Sequence, residues 1–304
     1  MPYSPTTDTT VAVIVVTWNS AAVLGDLIMS VQASEVNGRV RLIVVDNASQ
    51  DGSVALVRSL MPDAQIVQTG RNAGYAAGAN AGMVSAEGAD AFLLVNPDVR
   101  LAPGAIQAMV DEMHTTGAGI VVPRLTDQFG ALRSSLRREP TVARAWGEAM
   151  LGGHRAGRIP ALGEVEERPE LYDRPGRADW ATGAALLISR PCWVAVGPWD
   201  ESYFLYSEET DFALRARDAG FELRYTPAAV AVHFEGDSHE SAALFALLSR
   251  NRVKLFRSRH GRVPSTLFWA GALVGELIRV NRPVRRAAAR ALMGVGRGIA
   301  GPTP

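Results

Sequence analysis

Lysine is almost absent from this chain: of 31 basic residues, only Lys254 is not an arginine. A phosphate held here therefore meets arginine forks and backbone N–H groups rather than ammonium point charges. Cysteine is equally scarce. Cys192 stands alone, which excludes an intrachain disulfide and fits a reducing compartment. Net charge is missing too, because 31 basic residues balance 31 acidic ones. No global field recruits nucleic acid, and no nucleic-acid partner is expected. Long apolar runs are lacking as well. The first, residues 11–16, is too short for a signal core or a membrane span. The reading is a flexible N-terminus over residues 1–10 and a catalytic part in the cytoplasm. The 304 residues, 47% of them hydrophobic, are ample for one large core.

That core alternates between two periods. Residues 11–16 and 41–45 are continuous, largely β-branched runs, the signature of strands buried on both faces. A helical pattern separates them at residues 21–32. Short strands are predicted near residues 64–68 and at 91–95, and Pro103 is read as the first turn of another helix. Strand–helix alternation predicts an α/β fold with a mostly parallel sheet flanked by helices. Residues 132–177, rich in Arg, Gly, Pro and Glu, read as a mobile loop or insertion. A further buried strand is expected at 181–189 and helices at 241–259 and 266–278, ahead of an Arg- and Gly-rich tail.

In such sheets, ligands sit beyond the carboxyl ends of the strands. Three polar clusters lie at strand ends: Thr17-Trp18-Asn19, Asp46-Asn47 and Asn96-Pro97-Asp98. Taken alone, the last is a plain turn. Downstream, Glu208, Glu209 and Asp211 crowd into four positions, as acids do at a helix N-terminus. Their mutual repulsion calls for a nearby cation. His233 ends an alternating strand and, alone, is a structural histidine. Beside Asp98 it would complete a carboxylate–imidazole pair suited, with diphosphate oxygens, to octahedral Mg2+ or Mn2+. His114, His154, His239 and His260 lack ligand spacing.

The order of these motifs resembles the inverting glycosyltransferases of family 2, which have the GT-A fold, and among them the bacterial rhamnosyltransferase-like members. Val15-Val16-Thr17-Trp18-Asn19 resembles the opening strand and nucleotide-contacting turn, and Val44-Val45-Asp46-Asn47-Ala48-Ser49-Gln50-Asp51-Gly52-Ser53 the base- and ribose-binding loop. Asn72-Ala73-Gly74-Tyr75-Ala76-Ala77-Gly78-Ala79-Asn80 is similar to the Gly-rich segment near the nucleotide. Asn96-Pro97-Asp98 stands where the family has its D-x-D metal motif, with Asn replacing the first Asp. Asp179-Trp180-Ala181-Thr182-Gly183-Ala184 resembles the lining of the donor and acceptor pocket, and Glu208-Glu209-Thr210-Asp211 the acidic motif that carries the base. His233 matches the late metal ligand, and Arg250-Asn251-Arg252 a basic helix after the site.

The resemblance implies Glu209 as catalytic base, and Asp98 and His233 as ligands of Mn2+ or Mg2+. It implies nucleotide contacts from Thr17, Asn19, Asp46, Asn47, Asn72, Gly74, Tyr75, Asn80 and Asn96. It implies a donor and acceptor pocket formed by Asp179, Trp180, Thr182, Gly183, Glu208, Asp211 and Arg250. Gly74 and Gly78, lacking Cβ atoms, are expected to let backbone approach the ligand. The implied donor is a dTDP- or UDP-sugar, with dTDP-L-rhamnose favoured and a UDP-hexose or UDP-galactofuranose as the alternative. The implied acceptor is a glycan or a polyprenyl-linked glycan in cell-envelope polysaccharide synthesis. The catalytic domain is read over residues 11–261 and a helical, Arg-rich extension over 262–304. The extension suits either a membrane surface or packing on the domain.

Rivals fare worse. A dinucleotide-dependent oxidoreductase predicts G-x-G-x-x-G after the first strand, where this chain has Thr17-Trp18-Asn19-Ser20. A nucleotidyltransferase would place a Gly-rich basic loop there. A non-catalytic nucleotide-sugar-binding scaffold needs neither Glu209 nor His233, and fold alone does not exclude it.

Overall fold

The computed structural model describes residues 8–34, 36–234 and 241–294. Its elements run β1 (Thr9–Thr17), α1 (Ala21–Gln32), β2 (Gly38–Asp46), α2 (Ser53–Leu60), β3 (Gln65–Gln68), α3 (Tyr75–Ser85), β4 (Ala91–Val95), β5 (Val99–Leu101), α4 (Ala105–Thr116) and β6 (Ile120–Thr126). The chain continues through β7 (Leu136–Arg137), α5 (Val142–Leu151), α6 (Gly153–Gly157), β8 (Gly176–Ala178), β9 (Trp180–Ala181), β10 (Ala185–Ser189) and α7 (Arg190–Val196). It closes with α8 (Glu208–Asp218), β11 (Leu223–His233), α9 (Ala242–Arg259), α10 (Arg262–Ile278) and α11 (Pro283–Leu292).

The continuous apolar runs divide between two cores because successive side chains of a strand point to opposite faces. Along β1, Val11, Val13 and Val15 join α1, α2 and α4 on one side, while Ala12, Ile14 and Val16 join α3, α7 and α8 on the other. The nine-stranded sheet has the order β3-β2-β1-β4-β10-β6-β11-β5, with β8 also paired to β11. Pairing is parallel from β3 to β4 and between β6 and β11. It turns antiparallel where β10 inserts between β4 and β6, and where β5 and β8 meet β11. The sheet is thus mostly parallel, as expected, with an antiparallel component that periodicity does not encode.

Helix α3 needs its glycines for packing rather than for a ligand. A Cβ at Gly78 would stand 2.5 Å from Val16 Cγ1, and one at Gly82 would collide with Ile14 Cγ2. Gly74, at φ +89°, faces the Phe204 backbone. The expectation that Gly74 and Gly78 open space for a ligand is therefore corrected: protein atoms fill that space. Gly82→Val is expected to lower stability by about 1–3 kcal/mol through overpacking. An unchanged denaturation midpoint would count against this close approach of α3 to β1.

Other expectations also shift. β1 begins at Thr9, and Thr10 N–H donates to Asp90, so residues 9 and 10 are not a flexible lead-in; residues 1–7 lie outside the described residues. The helix expected from Pro103 begins at Ala105, after Gly104 in the left-handed region. The strand expected at 181–189 breaks into β9 and β10 around Thr182-Gly183-Ala184.

Residues 132–177 are not a loose loop. Thr141 caps α5, its hydroxyl accepting from Arg144 N–H. Arg138 donates to the carbonyls of Gly157, Gly163 and Val165 and pairs with Glu166. Arg252 of α9 pairs with Glu148 and Glu164. Charged pairs, not apolar periodicity, organise this segment, which is why its pattern reads as loop. α10 covers it: Phe268 packs with Ala145, Val253 and Phe256 in a small separate core. His239 and the tail beyond residue 294 lie outside the described residues.

Candidate active site

Three strand ends meet at one rim. Thr17 and Asp46 are register partners at the ends of β1 and β2, and both are buried. Asp46 accepts from the N–H of Ser49, three residues on, at 3.0 Å, which ties down the start of the following loop. The Thr17 hydroxyl is buried without a partner among the described residues. Such a group carries a desolvation cost that a ligand can relieve. Asn19 sits in the left-handed region and ties to this loop: Ser49 Oγ accepts its N–H, and its Oδ1 accepts Gln50 N–H.

At the end of β4, Asn96 N–H donates to Ala184 O, and a turn returns Val99 N–H to Asn96 O. This turn delivers Asp98 to β5. Val99 is the register partner of His233 on β11, and Phe234 N–H donates to Asp98 O at 3.0 Å. The side chains meet with His233 Nε2 3.4 Å from Asp98 Oδ2. Cis ligands of an octahedral ion at about 2.1 Å stand about 3 Å apart, so the pair fits a shared divalent cation. Among the described residues no group of three or more such ligands occurs. Any remaining positions would fall to ligand oxygens and water.

The acidic pair lies close by. Glu208 and Glu209 open α8, and Gly183 faces Glu209, where an added Cβ would lie 3.7 Å from the Glu209 side chain. Burial pushes the Glu209 carboxyl up to about 7, against the lowering effects of backbone hydrogen bonds and the Arg137 charge. Burial, reinforced by Glu209, pushes Glu208 well above the carboxylate range, and its Oε2 is buried without a partner. The Tyr75 hydroxyl is likewise buried and unpartnered. Burial, then the charges of Glu208, Glu209 and Asp98, raise its pKa far above the usual tyrosine value. Tyr75 thus lies within electrostatic reach of Glu208, Glu209 and Asp98.

The loop leading into α8 is strained: Phe204, Tyr206 and Ser207 all have positive φ. Such conformations each cost of order 1–3 kcal/mol and persist only where the surroundings enforce them. Asn251 enforces them here, its buried amide donating to the carbonyls of Tyr203, Leu205 and Tyr206 at 2.8, 2.9 and 3.1 Å. Asn251→Ala leaves these carbonyls without that donor. A stability loss of about 1–3 kcal/mol is expected, with a fall in kcat at unchanged donor KM. A variant with wild-type kcat would show that the loop holds its form unaided.

Several residues expected at the ligand have other occupations. Asn47 bridges Gly74 O and the Thr69 hydroxyl. Asn80 gives its whole amide to Trp199 and Glu201. Asn72 accepts from Gly74 N–H. Asp211 turns to Arg215 at 2.7 Å, and Arg215 anchors the Val196 and Pro198 carbonyls. Asp179 accepts from Glu139 N–H, and Trp180 donates to Arg138 O. Thr182 N–H donates to Ser135 O beside Gly183. Arg250 is exposed on α9, while Asn251 and Arg252 turn inward. These residues build the frame; Thr17, Asp46, Tyr75, Asn96, Asp98, Gly183, Glu208, Glu209 and His233 form the rim. Arg137, whose charge reaches Glu209, belongs with them although the motifs do not mark it. Its signal, an arginine in a two-residue strand, is too faint to find in sequence.

Comparisons with known proteins bear on the family and the fold. The chain is 29% identical over 270 residues to the N-acetylglucosaminyl-diphospho-decaprenol L-rhamnosyltransferase of Mycobacterium tuberculosis, covering 83% of this chain and 87% of that protein. The mannosyltransferase PcManGT from Pyrobaculum calidifontis, solved with GDP-Man and Mn2+, superposes with a TM-score of 0.58 at 17% identity, covering 94% of this chain and 76% of that one. Staphylococcus aureus TarS 1–349, solved with UDP, superposes at 0.54 with 11% identity, covering 94% and 90%. The fold is accordingly of the GT-A type. Residues 12–161 match the family model described as glycosyl transferase family 2, so this chain carries a domain of that family of glycosyltransferases.

Proposed function

We propose that this glycosyltransferase moves L-rhamnose from dTDP-L-rhamnose onto a polyprenyl-diphosphate-linked glycan in cell-envelope polysaccharide synthesis, with inversion at the anomeric carbon. The observation that carries the reading is the Asp98–His233 pair, 3.4 Å apart, beside a carboxyl at Glu209 tuned to about 7. Similarity to a relative named for rhamnosyl transfer to a diphospho-decaprenol acceptor supports the substrate classes.

In this reading Asp46 and the unpartnered Thr17 hydroxyl bind the nucleoside at the ends of β1 and β2. Asp98 and His233 would hold Mn2+ or Mg2+, and the ion would supply Lewis-acid stabilisation of the leaving diphosphate. Glu209 takes the proton of the acceptor hydroxyl as its oxygen attacks the anomeric carbon. The nucleoside diphosphate departs with the bonding electrons, and a single displacement inverts that carbon. Burial and the neighbouring Glu209 charge raise Glu208 as well, while Glu209 is carried up to about 7.

The test is release of nucleoside diphosphate from a panel of nucleotide sugars with Mn2+ or Mg2+, followed by calorimetry on the same samples. The expected result is metal-dependent turnover of dTDP-L-rhamnose. Turnover of UDP-galactofuranose or a UDP-hexose instead would replace the donor. Failure to bind any nucleotide would sink the enzyme reading.

An acceptor of this kind requires a membrane. No helix among the described residues is long and apolar enough to cross one. The surface supports peripheral contact through the extension over residues 262–304. Gly275 abuts Ala149, and Arg279 donates to Ala149 O at 2.9 Å, which brings exposed Met150 and Leu151 beside exposed Leu277, Ile278 and Val280. Arg282, Arg286 and Arg290 are exposed next in sequence. Apolar side chains flanked by arginines suit an anionic bilayer surface. Ile278→Glu combined with Arg286→Glu is expected to weaken binding to vesicles containing anionic lipid roughly tenfold or more, near 1 kcal/mol per basic residue before the apolar loss. Equal vesicle binding by the variant would refute the contact.

A further inference from the structure

Behind the β7–β9 ribbon lies a cavity of about 530 Å³ whose wall carries five arginines but only two carboxylates, Glu166 and Asp179. Three of the arginines are neutralised, wholly or in part. Arg138 and Arg168 share the single carboxylate of Glu166, and Arg177 pairs with Glu222 at 2.8 Å. Asp179 has its own partners in Glu139 N–H and Arg217.

The other two have no direct ion pair among the described residues. Arg174 is exposed and has no ion pair among the described residues. Arg137 is deeply set: one guanidinium nitrogen donates to Leu136 O and Ser134 O, its plane lies 5.8 Å from the Trp180 ring centroid, and no carboxylate among the described residues pairs with it. Its surroundings are partly desolvated, which lowers its pKa against the opposing charges of Glu164, Glu167 and Glu148. A half-buried guanidinium with no direct ion pair, beside an open cavity, can take an anion. Forked guanidinium groups match phosphoryl oxygens better than any other side chain.

The cavity and the catalytic centre share a wall. Arg137 is the register partner of Trp180 on β9, and three residues further along Gly183 faces Glu209. Three residues of chain span at most about 10 Å, within reach of one sugar ring followed by its anomeric phosphate. We infer that this cavity binds the diphosphate of the lipid-linked acceptor, seating the sugar it carries against Glu209. The inference rests on the reading of the acceptor as diphosphate-linked, and it adds the place where that diphosphate is recognised. It also separates two diphosphates that one active site must keep apart: the donor's at Asp98 and His233, the acceptor's at Arg137 and Arg174.

The experiment is equilibrium binding of geranyl diphosphate to the full chain in chelator, without donor, so that the metal-dependent site contributes nothing. Binding is expected to weaken roughly tenfold in Arg174→Ala and further in Arg174→Glu, a surface change that spares the fold, and to persist in Asp98→Ala. Arg137→Lys, which keeps the charge and loses the fork, is expected to weaken it as well. Geraniol should not bind. Binding that survives Arg174→Glu and is lost in Asp98→Ala would overturn the inference by assigning the ligand to the donor site. Inorganic diphosphate binding as tightly as geranyl diphosphate would overturn it in favour of a free anion. The readout needs no turnover: failure of every donor in the panel with this binding intact would sink the transferase reading, whereas donor turnover with binding indifferent to Arg174 would sink only the cavity assignment.

Discussion

Glu209→Gln is expected to lower the rate of sugar transfer by about 10²–10⁴, the usual contribution of a positioned general base, while leaving donor binding intact. Glutamine keeps the shape and cannot take the proton. The pH profile supplies an independent check. Burial pushes the Glu209 carboxyl up to about 7, and only the ionised form is a base. The wild-type kcat/KM is therefore expected to rise with pH through about 7 and level off above it. A flat profile between pH 5 and pH 8 would remove Glu209 from the base role. Stability should move in the opposite sense. The carboxyl rises from an ordinary 4.5 to about 7 on folding, so below 4.5 it is protonated in both states and carries no penalty. As pH rises from 4.5 through 7 the unfolded chain ionises first and stability is lost. Glu209→Gln abolishes that loss. The inactive variant should melt above the wild type at pH 8 and close to it at pH 4. The reverse order would show that the carboxylate is stabilised, not strained, in the fold.

Asp98→Ala is expected to cost roughly 10²–10³ in turnover, comparable to removing one preorganised electrostatic contact at a developing charge. The loss should coincide with a weaker response to added Mn2+. His233→Ala should act in the same direction, because the two side chains face one point from adjacent antiparallel strands. The two changes should be strongly non-additive, since either one dismantles the pair. Titration of Mn2+ by calorimetry in the presence of nucleoside diphosphate decides the matter. Wild-type affinity in both variants would assign Asp98 and His233 a purely structural role, with the histidine as the hydrogen-bonded end of β11.

Much of this was legible from local pattern. Residues 11–16 and 91–95 had to be strands covered on both faces, because no other short element absorbs a continuous apolar run. The helix over residues 21–32 appears with the expected bounds. Asn96-Pro97-Asp98 and Glu208-Glu209 could be singled out because turn residues and crowded acids are unusual enough to need a reason. The ordered segment at 132–177 was not legible, because its cohesion comes from Arg138, Arg252, Glu148, Glu164 and Glu166. Ion pairs have no period, and their partners lie far apart in sequence. Asn47 and Asn80, expected at the nucleotide, hydrogen-bond to Gly74, Thr69, Trp199 and Glu201, and sequence cannot tell an amide that meets a ligand from one that satisfies buried protein groups.

The sequence by itself determined the α/β architecture, the strand ends that carry the polar clusters and the identity of the chemical groups, since these depend on spacing within single elements. Only the tertiary structure decided which of those groups meet. The insertion of β10 between β4 and β6 brings Gly183 to Glu209, and the pairing of β5 with β11 brings Asp98 to His233. The same packing partly strips water from Glu209 and Arg137, which raises the proton affinity of the first and lowers that of the second.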